Sequence, residues 1–297
     1  MHARTPRRLV VASVLGALLA CAPGCVGDSN GDAETGGAEA AESGPGPEEP
    51  VGTDSAEASS SVRVMSFNIK YGAIAGLDLG KIAAVINAST PDLVALQEVD
   101  DGTRRSGRRA ETDELATKTG LRYRYFGANF DYDGGRYGVA ILSKYPLSNT
   151  RVIRLDAHTG RGNGYEPRIA AAGDVTIGGK RATFVTIHAS LHESERDDNA
   201  RALLLALGSS ASRAIVAGDF NERQGGSIGD ALDGAGFADA YRERHPWARG
   251  YTAPADSPAR RIDFIFRGRA FGSTKHAWVP STLVSDHRPV AAVIPLD

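Results

Sequence analysis

In Ile215-Val216-Ala217-Gly218-Asp219-Phe220-Asn221-Glu222 an apolar run stops at two polar residues placed one apart. Residues i and i+2 of a β-strand share a face, so a strand ending here would deliver the Asp219 carboxylate and the Asn221 amide to one site. Gly218 allows a backbone or a ligand to approach closely. A strand followed by an Asx-type turn uses the same residues without any chemistry, and other stretches decide between the two readings. Ile262-Asp263-Phe264-Ile265-Phe266 sets a carboxylate within an apolar strand, where an unpaired charge is costly and a partner is expected. Asp92 to Glu98 reads as an apolar strand ending in a carboxylate, Val64 to Asn68 as one ending in an amide, and Phe184 to His188 as one ending in an imidazole. Ser285-Asp286-His287-Arg288-Pro289 opens a last apolar strand, Val290 to Ile294. Polar ends on so many apolar strands imply one polar site at the edge of a large buried sheet, since a purely structural network has no need to gather at strand ends.

Histidine beside carboxylate suits acid/base work near neutral pH. Glu98 with Asn68 nearby is the donor set of a hard divalent cation such as Mg²⁺, which takes few carboxylates and keeps several waters. A tetrahedral zinc site is not expected, because both cysteines, Cys21 and Cys25, precede the domain and no HExxH is present.

The elements that must position these residues begin well into the chain. Residues 1–25 read as a targeting segment: Arg4, Arg7 and Arg8 precede an apolar run from Leu9 to Ala20, too short for a permanent transmembrane helix. Leu18-Leu19-Ala20-Cys21 resembles a bacterial lipoprotein processing box, so export is expected, with Cys21 as the candidate lipidated tether to the outer face of a membrane. Simple cleavage is the alternative. Residues 26–61 carry nine acids, no basic residue and almost no large apolar side chain, and are expected to form a disordered spacer. Residues 62–297 then form one domain, large enough to bury a core without disulfides. Removing the spacer's nine acids and the leader's three arginines from the formal charge of −2 leaves +4 for it, compatible with an anionic substrate but not diagnostic of nucleic acid.

Within the domain, apolar strands alternate with amphipathic helices near Asp78 to Asn87, Glu111 to Thr119 and Arg196 to Leu207, where Leu203, Leu204 and Leu207 recur at helical spacing as a core stripe. Strands are also predicted at Tyr137 to Leu142 and Arg168 to Ile177. Ala170 to Ile177, Gly178-Gly179 and Arg181 to His188 read as an antiparallel hairpin. The mixture predicts an α/β (α+β) fold with mixed sheets.

In chain order the segments SFNIKYG, LVALQEVD, GVAILSKYPL, EPRIAAAG, VTIHASL, VAGDFNE, RIDFIF and SDHRPV resemble the endonuclease/exonuclease/phosphatase superfamily, over about Val62 to Leu296. That resemblance implies a four-layer sandwich, two mixed β-sheets packed face to face with helices on both outer faces. It implies a divalent-metal-dependent phosphoesterase in which Glu98 is the principal metal ligand, with Asp286 and Asn68 contributing directly or through water. The metal would be Mg²⁺, with Mn²⁺ or Ca²⁺ as alternatives. It makes His287 the acid/base histidine oriented by Asp263, and gives Asp219 the attacking water. Asn221, His188 and Arg168 would hold the phosphoryl oxygens. The substrate class stays open among nucleic acid, phospholipid head group and small phosphoester, and the protein is expected to act as a monomer. A non-catalytic surface binding module that kept the fold is the competing reading. Two departures, Val139 where many relatives place asparagine and His188-Ala189-Ser190-Leu191-His192, bear on the substrate pocket.

Other residues fit bland readings equally well. Arg104, Arg105, Arg108 and Arg109 form a basic loop that could steer a phosphate-rich substrate or be a solvated face. Trp247 and Tyr251 could stack on a base or sugar, or cover the sandwich. His192 could rim the site, whereas His158, His245 and His276 read as surface or core histidines.

Overall fold

The computed structural model describes residues 61–155 and 166–297. The expected leader, the lipidation site at Cys21, the spacer up to residue 60 and His158 lie outside the described residues.

The chain begins with β1 (Ser61–Asn68), a short 3-10 turn at Lys70–Gly72, α1 (Leu79–Ser89) and β2 (Leu93–Asp101). Then come α2 (Glu111–Thr119), β3 (Tyr123–Tyr132), β4 (Gly135–Ser143), β5 (Ser148–Arg154), β6 (Ile169–Ile177) and β7 (Lys180–His188). After α3 (Glu193–Leu207) follow β8 (Ala214–Asp219), α4 (Ser227–Gly234), β9 (Ala238–Asp239) and α5 (Ala240–Arg244). The chain closes with β10 (Asp263–Arg267), β11 (His276–Trp278) and β12 (Val290–Pro295).

Two six-stranded sheets result, ordered β11-β12-β1-β2-β4-β3 and β5-β6-β7-β8-β10-β9. Both are mixed: β1 and β2 are parallel, as are β7 and β8, and the remaining pairs are antiparallel. The predicted hairpin is present as β6 and β7, in register from Ile169–His188 to Ile177–Lys180.

The period-2 alternation of the strands separates the layers. Val62, Val64, Leu93, Ala95, Phe184, Ile215, Ala217 and Ile265 join one buried cluster between the sheets. Their neighbours face outward: Met65, Phe67, Val94 and Leu96 pack with Ile82 and Ile86 of α1 and Leu115 of α2. On the other side Val185, Val216, Phe264 and Phe266 pack with Leu203 and Leu207 of α3 and Ile228 and Leu232 of α4. Each of these large side chains contributes about 1.5–3 kcal/mol on full burial. The helices can form their apolar faces only against a sheet, so the order is helix, sheet, sheet, helix, as the resemblance implied.

Val139 lies in a small apolar cluster with Ile169 and Ala171, against Tyr125 and Val152. Val139 therefore packs in the core, with no polar group to offer a substrate.

Candidate active site

Towards one edge of the sandwich the inner faces change character. The inward positions run Val64, Ser66, Asn68 on β1; Phe184, Thr186, His188 on β7; and Ile215, Ala217, Asp219 on β8. Hydrocarbon thus gives way to polar groups that are still buried, and these satisfy one another. Gln97 Nε2 donates to Thr186 Oγ1 at 3.0 Å between the sheets, and Ser66 Oγ donates to Gln97 Oε1 at 3.4 Å. Register places His188 beside Asp219 and Asp219 beside Asp263. β7 and β8 end at this edge while antiparallel β10 begins there, so Asp263 opens its strand and does not lie inside it as the sequence suggested. Gly218 allows the close pairing: a Cβ there would collide with the Ile187 carbonyl oxygen.

One half of the site is dry. Asp263 has the partner its burial calls for: His287 Nδ1 donates to Asp263 Oδ2 at 2.9 Å, and His287 Nε2 lies 3.8 Å from Asp219 Oδ2. Burial pushes the His287 pKa down, but the Asp263 and Asp219 carboxylates outweigh it and raise it to about 10. Burial, helped by the nearby Asp263 carboxylate, raises Asp219 to about 6. Asp219 is held by Asn221 N–H on Oδ1 (2.9 Å) and by Asn68 Nδ2 on Oδ2 (3.1 Å). Burial and the adjacent Arg168 guanidinium hold His188 well below its ordinary pKa, so it is a neutral acceptor for Arg168 Nη1, 3.2 Å from its Nε2. Arg168 is only 4% exposed and its buried Nε has no hydrogen-bond partner, so it is no solvated strand-end arginine.

The other half is open. Glu98 does not end its strand; it occupies a β-bulge with φ +54°, where the β2–β4 register shifts between Leu96 and Val99. A bulge re-aims a side chain without ending the sheet, and β2 continues to Asp101. Lys70, which the sequence reading missed, approaches both carboxylates: its Nζ lies 3.1 Å from Asp286 Oδ2 and 3.8 Å from Glu98 Oε2. Its pKa, lowered by partial burial, is raised on balance by Glu98 and Asp286. Lys70 lay within the SFNIKYG segment, two residues beyond Asn68, and that spacing was the available signal.

Asn68 joins the halves. Its Nδ2 donates at 3.1 Å to both Glu98 Oε1 and Asp219 Oδ2, while its Oδ1 accepts the Lys70 N–H. Ser285 Oγ fixes the strand end by donating to Asn68 O at 2.7 Å. In this arrangement the Asn68 amide is a donor that holds two carboxylates.

Two groupings could hold a metal. Asp219, Asp263 and His287 present ligand atoms within 4.8 Å of one another, consistent with a divalent ion. A cation there must displace a proton from the His287 ring nitrogen that binds it. At Glu98 and Asp286 the Lys70 ammonium lies beside two carboxylates, whose oxygen donors would suit a hard ion.

Asn221 departs from the sequence argument. β8 stops at Asp219, and Asn221 adopts φ +51° with its Nδ2 donating to Ala189 O at 3.0 Å. The shared-face geometry is therefore absent. The turn that was the bland alternative is what puts the Asn221 N–H on Asp219. The basic loop is mostly committed to structure: Arg104 pairs with Asp133, Arg105 with Asp100, and Arg109 with Glu114 and the Leu77 carbonyl. Trp247 is 95% exposed and covers nothing. His245 is tied to Ala277 O, His276 stacks on Trp278, and His192 is the N-cap residue of α3.

Residues 65–287 match the profile described as the Endonuclease/Exonuclease/phosphatase family. The chain belongs to this family. The chain is similar to the uncharacterized protein YbhP of Escherichia coli K12, 27% identical over 252 residues, which cover 80% of this chain and 97% of YbhP. An endonuclease/exonuclease/phosphatase family protein from Bacteroides thetaiotaomicron superposes with a TM-score of 0.66 at 18% identity, covering 80% of this chain and 98% of that one. A mannosyl-6-phosphatase from the same organism gives 0.64 at 18% identity, covering 79% and 99%. The human Nocturnin catalytic domain gives 0.60 at 20% identity, covering 80% and 94%. At such identities the solved structures share the fold. The family accounts for a phosphoesterase scaffold with a buried cluster of carboxylates and histidine.

Proposed function

We propose that this protein is a Mg²⁺-dependent phosphoric ester hydrolase that attacks phosphorus with water in line. The observation that carries the reading is the juxtaposition of the buried Asp219 carboxylate with His287, whose Nε2 lies 3.8 Å from it and whose Nδ1 is held by Asp263 at 2.9 Å, at the edge of the open carboxylate pair. At neutral pH Asp219 can accept a proton while His287 stays charged. Asp219 orients the attacking water and takes its proton as the new P–O bond forms; the bond to the leaving oxygen breaks, and that oxygen takes up a proton from solvent. His287 Nε2–H, kept in place by Asp263, donates to a phosphoryl oxygen and balances its growing charge. The charge at His287 fits the acid side of the acid/base role expected of it. Arg168 brings a second positive charge to the phosphoryl group, His188 orients Arg168, and the turn at Asn221 holds Asp219. Glu98 and Asp286 would hold Mg²⁺, or Mn²⁺ or Ca²⁺ in its place, which when bound polarises a phosphoryl oxygen as a Lewis acid.

A mannosyl-6-phosphatase among the structural neighbours supports a phosphoester substrate. The decisive assay is hydrolysis of bis-p-nitrophenyl phosphate, glucose 6-phosphate, plasmid DNA and sphingomyelin with Mg²⁺ and with EDTA. Turnover of at least one of them, abolished by EDTA, is expected; metal-independent turnover, or none, contradicts the reading. We further propose export and attachment to the outer face of a membrane through lipidated Cys21, on the strength of the Leu18-Leu19-Ala20-Cys21 box. Cys21→Ser should release the protein from the membrane fraction.

A further inference from the structure

Next to Glu98 and Lys70 opens a cavity of about 330 Å³, lined by Tyr71, Arg105, Phe130, Tyr132, Tyr137 and Glu166. Its size is at the small end of ligand pockets, roughly 300–1,000 Å³, enough for a single ring and its substituents. The wall is rigid. Arg105 donates from Nε (2.7 Å) and Nη2 (2.8 Å) to the fully buried Asp100, and its guanidinium lies 3.7 Å over the ring of Tyr71 and 4.4 Å over that of Tyr132. Planar bidentate pairing and stacking together fix an arginine in one orientation.

Charge and hydrogen bonding narrow the occupant. Asp100 neutralises Arg105, and Glu98 and Asp286 answer Lys70, so a second phosphate would find no uncommitted positive charge. The remaining polar groups are phenols and a carboxyl. Glu166 Oε2 accepts from Arg168 Nη2 at 3.4 Å, while its Oε1 is buried without a hydrogen-bond partner, and an oxygen in that state calls for a donor. Phe130, packed 5.3 Å from Tyr137 by ring centroids, adds an apolar surface. Phenols, one unpaired acceptor and an aromatic surface are the complement of an uncharged ring bearing hydroxyls.

We propose that this pocket binds a hydroxylated ring of monosaccharide size, carried on the phosphate that the neighbouring site hydrolyses. Tyr132 and Glu166 are then specificity-determining residues. The inference rests on the phosphoesterase reading, and its test keeps the two apart. Glucose 6-phosphate and p-nitrophenyl phosphate are hydrolysed in parallel, with Mg²⁺, by the wild-type protein, Tyr132→Phe and Glu166→Gln. Tyr132 is 42% exposed, so its hydroxyl can be removed without disturbing the fold. Each substitution should lower kcat/KM for the sugar phosphate by about tenfold more than for the aryl phosphate, mainly through KM. Equal losses on the two substrates overturn the inference and leave hydrolysis standing. So does a wild-type protein that turns over another phosphoester but not glucose 6-phosphate. Absence of hydrolysis of any phosphoester by the wild-type protein overturns the phosphoesterase reading, and this inference with it.

Discussion

His287, Asp263 and Asp219 are 9%, 1% and 1% exposed, whereas a few ångströms away the side chains of Lys70 and Asp286 are 36% and 37% exposed. The same sandwich edge thus carries a sealed half and an open half, bridged by the Asn68 amide. The contrast follows from the strands. The sealed half stands on β8 and β10, paired in the interior of one sheet, with His287 reaching in from the turn before β12, while the open half hangs on a bulge in β2 and on Asp286 of that same turn. Burial strengthens each charge interaction and shifts proton affinities; exposure lets one cation replace another. On the proposed reading, one half holds a proton in place and the other exchanges a counter-ion.

The contrast is broken most severely by removing the imidazole. His287→Ala should lower kcat by on the order of 10²–10⁴-fold, and Asp263→Asn by less, because the histidine remains. The double variant should resemble His287→Ala, since residues acting as a unit are not additive. Steady-state kinetics on proteins first shown to be folded by thermal melts decides this. Multiplicative losses would make Asp263 part of a separate structural network.

Next in size, Glu98→Ala should cost more than the roughly 10–100-fold in metal affinity or activity typical of losing a group behind a metal ligand, with little change in Tm. Calorimetric titration with Mg²⁺ measures it.

The sealed half should also set the pH dependence of stability. His287 has a folded pKa, about 10, above its unfolded value, so in the metal-free protein its contribution is full below about 6.5 and is lost as pH rises towards 10. Asp219, raised to about 6, contributes stability that is full below its unfolded pKa and is lost as pH rises through 6. Both trends lower Tm with rising pH. In His287→Gln the fall between pH 7 and 10 should shrink; an unchanged fall would place its source elsewhere.

The smallest effect belongs to the open half. Lys70→Met should tighten Mg²⁺ binding by up to about fivefold, because a partly exposed ion pair is worth about 0–1 kcal/mol. Weaker binding would mean that Lys70 helps to hold the metal site together.

The sequence made the sealed half readable because its residues terminate or open apolar strands, and period 2 fixes which face they leave by. β7, β8, β10 and β12 could be recognised from apolar runs alone, and Asp263 announced its partner by the cost of burying it unpaired. The open half was less readable. A bulge is a backbone event with no residue pattern of its own, so Glu98 was taken for a strand end. Lys70 carried no signal beyond its distance from Asn68, since surface lysines are common. Asn221 was assigned a strand face it does not have, because the left-handed turn after Asp219 interrupts the alternation. The basic loop misled for a related reason: a run of arginines shows charge but not which acids absorb it, here Asp100 and Glu114 on its flanks and Asp133 farther along the chain.

The division of labour is tested most directly by titrating Mg²⁺ calorimetrically into the wild-type protein, Glu98→Ala and His287→Ala. If the cation belongs to Glu98 and Asp286, binding is lost in Glu98→Ala and persists in His287→Ala. Loss of binding in His287→Ala with retention in Glu98→Ala would put the metal among Asp219, Asp263 and His287 and contradict the account.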